Sequence, residues 1–315
     1  MSQEINIPEL VDERYQKLQS DVLYHAMIVQ SEVLRVSGEF LHQRGFIQIM
    51  PVIISPVTDP LRHFTGRAQV EYYGQVYQLT KSMIFHKRIA LLAHERIFAF
   101  SPNIRLESAD RAGTGRHLFE FSQLDLEVKG ASRDEIMDLG EDLFIYTLGQ
   151  VKERCAGQLG FFNRDLRVPA RPFARVAYKD VFGQYGEDFE NIVSQQHAEP
   201  VWVVDMCVEA REFYDREYPD RPGFLVDMDL LYPEGFGEAL SGGEREYTLE
   251  NILRRIKMTK VDPDNFKLYL EVSARGLPPS AGFGVGLERL TRFICGLPRV
   301  EDAVLFPKVP GKLSL

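Results

Sequence analysis

The sequence is poor in the residues that build the commonest reactive centres. Its three cysteines, Cys155, Cys207 and Cys295, lie far apart and form no CxxC pair. That excludes a zinc site of the usual spacing. An odd, sparse count points to a reducing compartment rather than a disulfide framework. No apolar run approaches the roughly 18 residues needed to span a membrane. The N-terminus, MSQEINIPELVDERYQKLQ, is polar and acidic, neither a signal nor a transit peptide. Positive charge is also in deficit: the net charge is −9. That argues against a nonspecific nucleic-acid binder, while leaving room for a local basic pocket. There is no internal repeat and no low-complexity linker. Together these absences point to a cytoplasmic globular protein with no membrane contact.

What is present reads as mixed helix and strand. Val22, Leu23, Met27, Val33, Leu34 and Leu41 recur at helical spacing and predict a helix over 9–45, ended by Gly45. Residues 46–54, FIQIMPVII, read as a strand interrupted by Pro51, which suits an edge or a bulge. Residues 70–80 read as a hairpin turning near Gly74, and 82–94 as a helix with Ser82 as N-cap. Strands are predicted at 96–104 and 117–128, flanking the loop SADRAGTG. A helix over 133–154 follows, with Asp134, Glu135, Asp138, Glu141 and Asp142 on its solvated side. Buried strands fall at 200–205 and 225–231, and a helix at 247–257. AGFGVG, 281–286, runs into a helix from Leu287 to Cys295. Hairpins dominate and no regular βαβ alternation appears. The fold class is α+β around an antiparallel sheet. A Gly-rich turn after a first strand, as a dinucleotide fold needs, is missing.

Three constellations carry chemistry. In RLESADRAGTGRHLFEFSQLDLE, 105–127, Arg105 and Arg116 suit bidentate contact with phosphate oxygens. Phe121 suits stacking on a flat ring, Glu107 suits an amino group on that ring, and His117 is a further donor. Asp125 and Glu127 suit an ammonium or a metal. The bland alternative is a surface hairpin laced with salt bridges. In DLLYPEGFGEALSGGERE, 229–246, Asp229 and Glu238 are carboxylates of the kind that hold Mg²⁺ on a nucleotide, and Arg245 presents a fork for a substrate carboxylate. In PPSAGFGVGLERLTRF, 278–293, Gly282, Gly284 and Gly286 lead into a helix bearing Glu288 and Arg289.

In this order the blocks resemble motifs 1, 2 and 3 of the class II aminoacyl-tRNA synthetases. GFIQIMPVIISP is similar to motif 1, IRLE…RHLFEFSQLDLE to motif 2 of the aspartyl and asparaginyl branch, and GVGLERLTRF to motif 3. PVWVVD…EAREFYDR also matches that branch, in a strand ending at Phe213-Tyr214. The resemblance implies a six- or seven-stranded antiparallel sheet flanked by helices, dimerising through motif 1. It implies that Arg105 holds the α-phosphate of ATP and Glu107 the adenine amine. Phe121 and Arg289 would sandwich the adenine. Arg116, His117, Ser241 and Gly286 complete the nucleotide site, and Glu238 with Asp229 would hold Mg²⁺. Arg105, Arg289 and Glu238 carry the catalysis by position and charge. Lys87, Gln123, Asp125, Arg245 and Ser280 line the amino-acid site, where Lys87 and Arg245 would read an acidic side chain.

The sequence also departs from that branch. About 45 residues precede motif 1, and they look helical, so no anticodon-binding domain is expected: 1–24 form a helical extension and 25–315 the catalytic domain. PSAG stands where a PHAG is frequent, and Ile84 stands where a glutamine is expected ahead of Lys87. The acidic loop after motif 1 is not recognisable in TDPLRHFTGRAQVEYY, which leaves Asp125 as the candidate for the substrate amine. These features are most similar to the archaeal-type asparagine synthetases related to asparaginyl-tRNA synthetase. They imply activation of the β-carboxylate of L-aspartate with ATP, capture by ammonia and no use of tRNA. The alternatives are an adenylating ligase with another acid or acceptor, including a tRNA or a protein, and a non-catalytic amino-acid-binding paralogue.

Overall fold

The structure, a computed structural model, describes residues 6–63 and 65–314. In chain order the helices are α1 (Ile7–Leu18), α2 (Asp21–Gln43), α3 (Ile84–Ala90), α4 (Arg133–Arg154), α5 (Ala156–Phe161), α6 (Tyr178–Tyr185), α7 (Phe189–Gln196), α8 (Leu249–Thr259), α9 (Lys267–Ala274) and α10 (Leu287–Cys295). The strands are β1 (Ile47–Gln48), β2 (Ile54–Ser55), β3 (Gln69–Tyr72), β4 (Gln75–Leu79), β5 (Arg96–Ile104), β6 (Glu120–Lys129), β7 (Ala174–Ala177), β8 (Val201–Val204), β9 (Asp227–Tyr232), β10 (Gly237–Glu244) and β11 (Ser280–Gly286). Among the described residues no helix is long and apolar enough to cross a membrane.

Eight strands form the main sheet, in the order β1-β5-β6-β11-β10-β9-β8-β7. Its interior pairs are antiparallel, as expected for the α+β class. Two short edge strands, β1 and β7, join in parallel and bring the count to eight rather than six or seven. A small sheet, β2-β4-β3, stands apart. The predicted strand over 46–54 is therefore divided. Pro51 separates β1 and β2, which pair with different sheets. The predicted hairpin is present and turns at Tyr73-Gly74, both at positive φ.

The single helix predicted over 9–45 is two. The Ser20 hydroxyl accepts the N–H of Leu23 at 3.3 Å and starts α2 afresh. The 24/25 division thus falls inside α2. That helix buries Ala26, Val29, Val33, Val36 and Phe40, a stripe at helical spacing, and it packs beside α4 and α10 on one face of the sheet. Met83, not Ser82, holds the N-cap position of α3; the Ser82 hydroxyl accepts the N–H of Ile84, the first helical residue, at 3.3 Å and donates to Asp59 at 2.8 Å. Glu141 of α4 is not solvated either. It is buried and accepts Trp202 Nε1 at 2.9 Å, the Phe173 N–H at 3.1 Å and Arg171 Nε at 3.0 Å. Sequence periodicity assigns it to the wet face because its neighbours are acidic, and the indole and guanidinium partners are remote in the chain.

Strand periodicity divides the sheet chemically. Phe98, Leu126, Phe283 and Met228 lie in one cross-strand row and Leu124, Val285, Leu240 and Leu230 in another, all in the core under α2, α4 and α10. The alternate residues face the other way. One row there is Glu127, Gly282, Gly243 and Asp227, and the next is Asp125, Gly284, Ser241 and Asp229. Gly282 is required by the first row. A Cβ there would lie 2.2 Å from the Leu126 carbonyl oxygen and 2.3 Å from Glu127 Oε2. Glycine is what lets a buried carboxylate lie flat on the sheet.

Replacing Gly282 by alanine should therefore lower unfolding free energy by roughly 3 kcal/mol or more, because backbone and a buried ionic group must both shift. Gly157 in α5 has no neighbour within 4 Å of its added Cβ, so Gly157→Ala should be neutral or slightly stabilising. Denaturant midpoints of the two variants against the parent protein check this.

Candidate active site

Two connected cavities open on the polar face of the sheet. A cleft of about 470 Å³ adjoins a smaller pocket of about 100 Å³. Arg105 and Gln123 line both.

The cleft collects most of the residues predicted to touch a nucleotide. Arg105, Glu107, Arg116, His117, Phe121, Glu238, Gly286 and Arg289 all line it. Arg105 leaves the end of β5 with its Nε on the Lys81 carbonyl, 3.1 Å away, and its guanidinium 5.1 Å from the centre of the Phe121 ring. So the ring carries Arg105 on one side, whereas Arg289 bonds Glu238 at 3.4 Å and the Arg116 carbonyl at 3.4 Å. Arg116 reaches across to Glu190 at 2.9 Å. Glu107 pairs with His63 Nε2 at 2.9 Å. His63 lies in the loop whose sequence departs from the expected pattern, so residue-type matching assigned it no partner.

Charge in the cleft is asymmetric. Burial and the nearby Arg289, Arg111 and Arg116 push His117 down to about 4, so near neutral pH it is an uncharged donor, not a cation. Burial opposes the ionisation of Glu238, but Arg289, Arg211, Arg116 and Arg105 outweigh it and hold the carboxyl below the usual range. Glu107 also stays low despite burial, through the His63 contact. Glu288, in the lining of the cleft, accepts the Ser122 N–H at 2.8 Å with one oxygen while Oε2 has no hydrogen-bond partner. Burial pushes it up to about 7.

The smaller pocket is a lattice of paired charges. Lys87 donates to Asp125 at 3.2 Å and lies 3.3 Å from Glu127. Arg245 binds Glu127 at 3.2 Å, Asp215 at 2.9 Å and the Gly282 carbonyl at 2.8 Å. The Ser280 hydroxyl adds a bond to Glu127 at 2.9 Å, and Ser101 one to Asp125 at 2.7 Å. Gln123 accepts from Asn103 at 2.9 Å. Lys87 and Arg245 are therefore not two free cations. Three carboxylates answer them.

Four charged lining residues carry no role in the sequence analysis: Asp59, Arg211, Glu212 and Asp215. Asp59 lies in TDPLRHFTGRAQVEYY, where the expected pattern is not recognisable, and the other three lie in EAREFYDR, which matches the branch; nothing local tells which of these side chains turns inward. Arg211 bonds Asp227 at 3.0 Å, Asp229 at 2.5 Å and Ser241 at 3.2 Å. Burial and Glu238 push Asp229 up to about 7 against the pull of Arg211. Among the described residues no three His, Cys, Asp or Glu side chains come together as a metal cage. Glu238 and Asp229 instead offer two carboxylates, the complement a hard cation needs when nucleotide oxygens complete its shell. Glu238, held ionised, is the stronger of the two. The donor set fits Mg²⁺ carried on a nucleotide and not a self-sufficient metal centre.

Comparison with known proteins bears on this geometry. The family model for tRNA synthetases class II (D, K and N) matches residues 6–310. An asparagine–tRNA ligase of Streptococcus mutans is 30% identical over 97% of this chain and 72% of its own length. That of Thermococcus gammatolerans is 29% identical over 96% and 73%. The crystal structure of asparaginyl-tRNA synthetase from Pyrococcus horikoshii with asparaginyl-adenylate superposes with a TM-score of 0.88 at 27% identity, covering 98% of this chain and 74% of that one. The expected tRNA-independent asparagine synthetase, with ammonia as partner and no tRNA, is overturned by these findings. The relatives that align along nearly the whole chain are named for joining asparagine to tRNA.

The Glu288 geometry generates a pH test. Its folded-state pKa lies above that of an exposed glutamate, so the folded form keeps a proton that the unfolded chain has released. Stability is then fully present at acid pH and is lost as pH rises through about 7. Glu288→Gln keeps the Ser122 contact and removes the ionisation. It should match the parent near pH 5 and exceed it at pH 8 by roughly 3 kcal/mol at most. Chemical denaturation at the two pH values measures the difference.

Proposed function

The chain belongs to the class II tRNA synthetases of the D, K and N group, and from that premise we propose that it is an ATP-dependent, AMP-forming ligase that activates asparagine and joins it to tRNA. The observation that carries the reading is the junction at Arg105. One guanidinium borders both the nucleotide cleft and the pocket of paired charges, where the acid and the α-phosphate have to meet.

The chemistry follows from position. Glu107 accepts from the adenine amine, and the Phe121 ring supports the base. Arg105 faces the α-phosphate, with Arg116, neutral His117 and Arg289 around the outer phosphates. Glu238, with Asp229, would hold Mg²⁺, which would supply charge neutralisation to the phosphates. The amino-acid carboxylate attacks the α-phosphorus, the bond to the bridging oxygen breaks, and pyrophosphate leaves. A ribose hydroxyl of the tRNA then attacks the mixed anhydride and AMP leaves. No protein nucleophile takes part; orientation and arginine charge lower the barrier.

Side-chain selection follows from the charge balance. Two free cations would favour a carboxylate. Lys87 and Arg245 bound to Asp125, Glu127 and Asp215 instead favour a side chain without net charge, such as a carboxamide. The expectation of an acidic side chain rested on the resemblance and on the two cations, because sequence does not show which carboxylates lie against them. We also propose dimerisation through the motif 1 edge, where Met50 is 86% and Ile53 58% exposed. Free thiols at Cys155, Cys207 and Cys295, together with ATP and tRNA as substrates, suit the cytoplasm.

Pyrophosphate exchange with ATP and Mg²⁺ should depend on L-asparagine and exceed the L-aspartate rate. Exchange with aspartate alone would overturn the amide reading, and absence of charged tRNA would overturn the acceptor. Arg105→Ala should fold normally and lower the exchange rate by about 10²–10³-fold.

A further inference from the structure

We propose that Glu190 is a latch on Arg116: it competes with the outer phosphates of the nucleotide for one guanidinium, and so sets how tightly the cleft takes a polyphosphate. This rests on the nucleotide reading of the cleft given above.

The latch joins two distant parts of the chain. Arg116 belongs to the loop between β5 and β6, and its Nη2 donates to Glu190 at 2.9 Å. Glu190 lies in the first turn of α7. Both residues line the cleft. The helix is fixed beneath the carboxylate. Phe189 and Val193 are buried. The Ser194 hydroxyl, one turn on from Glu190, donates to the Tyr232 carbonyl at 2.6 Å and accepts the Gly237 N–H at 3.0 Å. The arginine is fitted to the same spot. A Cβ on Gly237 would lie 2.8 Å from Arg116 Nη2 and 3.0 Å from its Cζ, so glycine at the start of β10 leaves the guanidinium its place.

The local charge makes the carboxylate exchangeable. Burial, Arg116 and Arg289 push Arg292 down to about 10, a sign of how closely the cations are gathered. A fork in that company needs an anion. Glu190 and a phosphate each offer paired oxygens to the same planar donor, so Arg116 serves one at a time. Both side chains of the pair are partly exposed, so it is worth little by itself and opens readily. Glu187 lines the same cleft with no arginine partner among the described residues. A triphosphate draws Arg116 away from Glu190. AMP has no outer phosphate with which to do so, and once pyrophosphate has left, Arg116 returns.

Isothermal titration calorimetry with Mg²⁺ present reads the affinities of ATP, inorganic tripolyphosphate and AMP. Glu190→Gln should bind ATP and tripolyphosphate about threefold or more tightly than the parent protein, with AMP within about 1.5-fold. The gain should shrink when salt is raised to about 0.5 M. Glu190→Asp, whose shorter arm withdraws the carboxylate, should fall between. Glu187→Gln removes the same charge without touching Arg116 and should stay within about 1.5-fold of the parent. In an Arg116→Ala background, Glu190→Gln should add nothing. Unchanged polyphosphate affinity in either folded Glu190 variant overturns the inference. So does an equal gain in Glu187→Gln, which general repulsion would give, or a gain that survives in Arg116→Ala. A parent protein that binds neither ATP nor tripolyphosphate overturns it together with the nucleotide reading. The full pattern without pyrophosphate exchange for any amino acid would strike the adenylation reading and leave the latch standing.

Discussion

Glu127 has no solvent-exposed surface, yet it lies between two cations, Lys87 at 3.3 Å and Arg245 at 3.2 Å. The polar face of the sheet depends on that arrangement. Burial alone would drive the carboxyl to its neutral form. Arg245 and Lys87 reverse the balance, and the Ser280 hydroxyl adds to it. A buried ion pair of this kind is weak evidence for stability, because desolvation offsets most of the attraction. Its effect is geometric. Removing one partner strands the others, so Lys87, Glu127, Arg245 and Asp215 hold one another in a single arrangement. The strands that carry them, β6, β10 and β11, are thereby held in register under the cavity.

The site divides along the strand direction. Toward one end lie Arg105, Arg116 and Arg289, and toward the other the paired charges of Lys87 and Arg245. Arg105 and Gln123 border both. In the cleft Arg116 and Arg289 are paired with Glu190 and Glu238, while Arg105 bonds the Lys81 carbonyl. In the smaller pocket Lys87 and Arg245 face three carboxylates, Asp125, Glu127 and Asp215. One sheet face supports both because the opposite face is uniformly apolar and takes up the whole burden of packing against α2, α4 and α10.

Much of this was legible in the sequence. The bounds of β5, the run of glycines into α10 and the α+β class follow from spacing, whereas β6 begins at Glu120, three residues later than predicted. The residues that escaped are those whose roles depend on distant partners. Glu141 looked solvated until Trp202 and Arg171 came beside it. Arg245 looked free until Glu127 and Asp215 met it from other strands. Asp59 and Glu212 lie 153 residues apart in sequence and share a pocket only after folding. The tRNA-independent reading failed for another reason: it was drawn from a few short motif variants and an expected missing domain, whereas the relatives align along nearly the whole chain.

The fit between Gly282 and Glu127 has an evolutionary side. A side chain at 282 is admitted only if the carboxylate at 127 withdraws, and withdrawing it leaves Lys87 and Arg245 unmatched. No single substitution at these four positions leads to another working arrangement; the intermediates are worse than either end. Homologues that recognise a different side chain should therefore differ here by several coordinated replacements at once. Positions such as Ser280, which supplies only one of the bonds to Glu127, are free to drift alone.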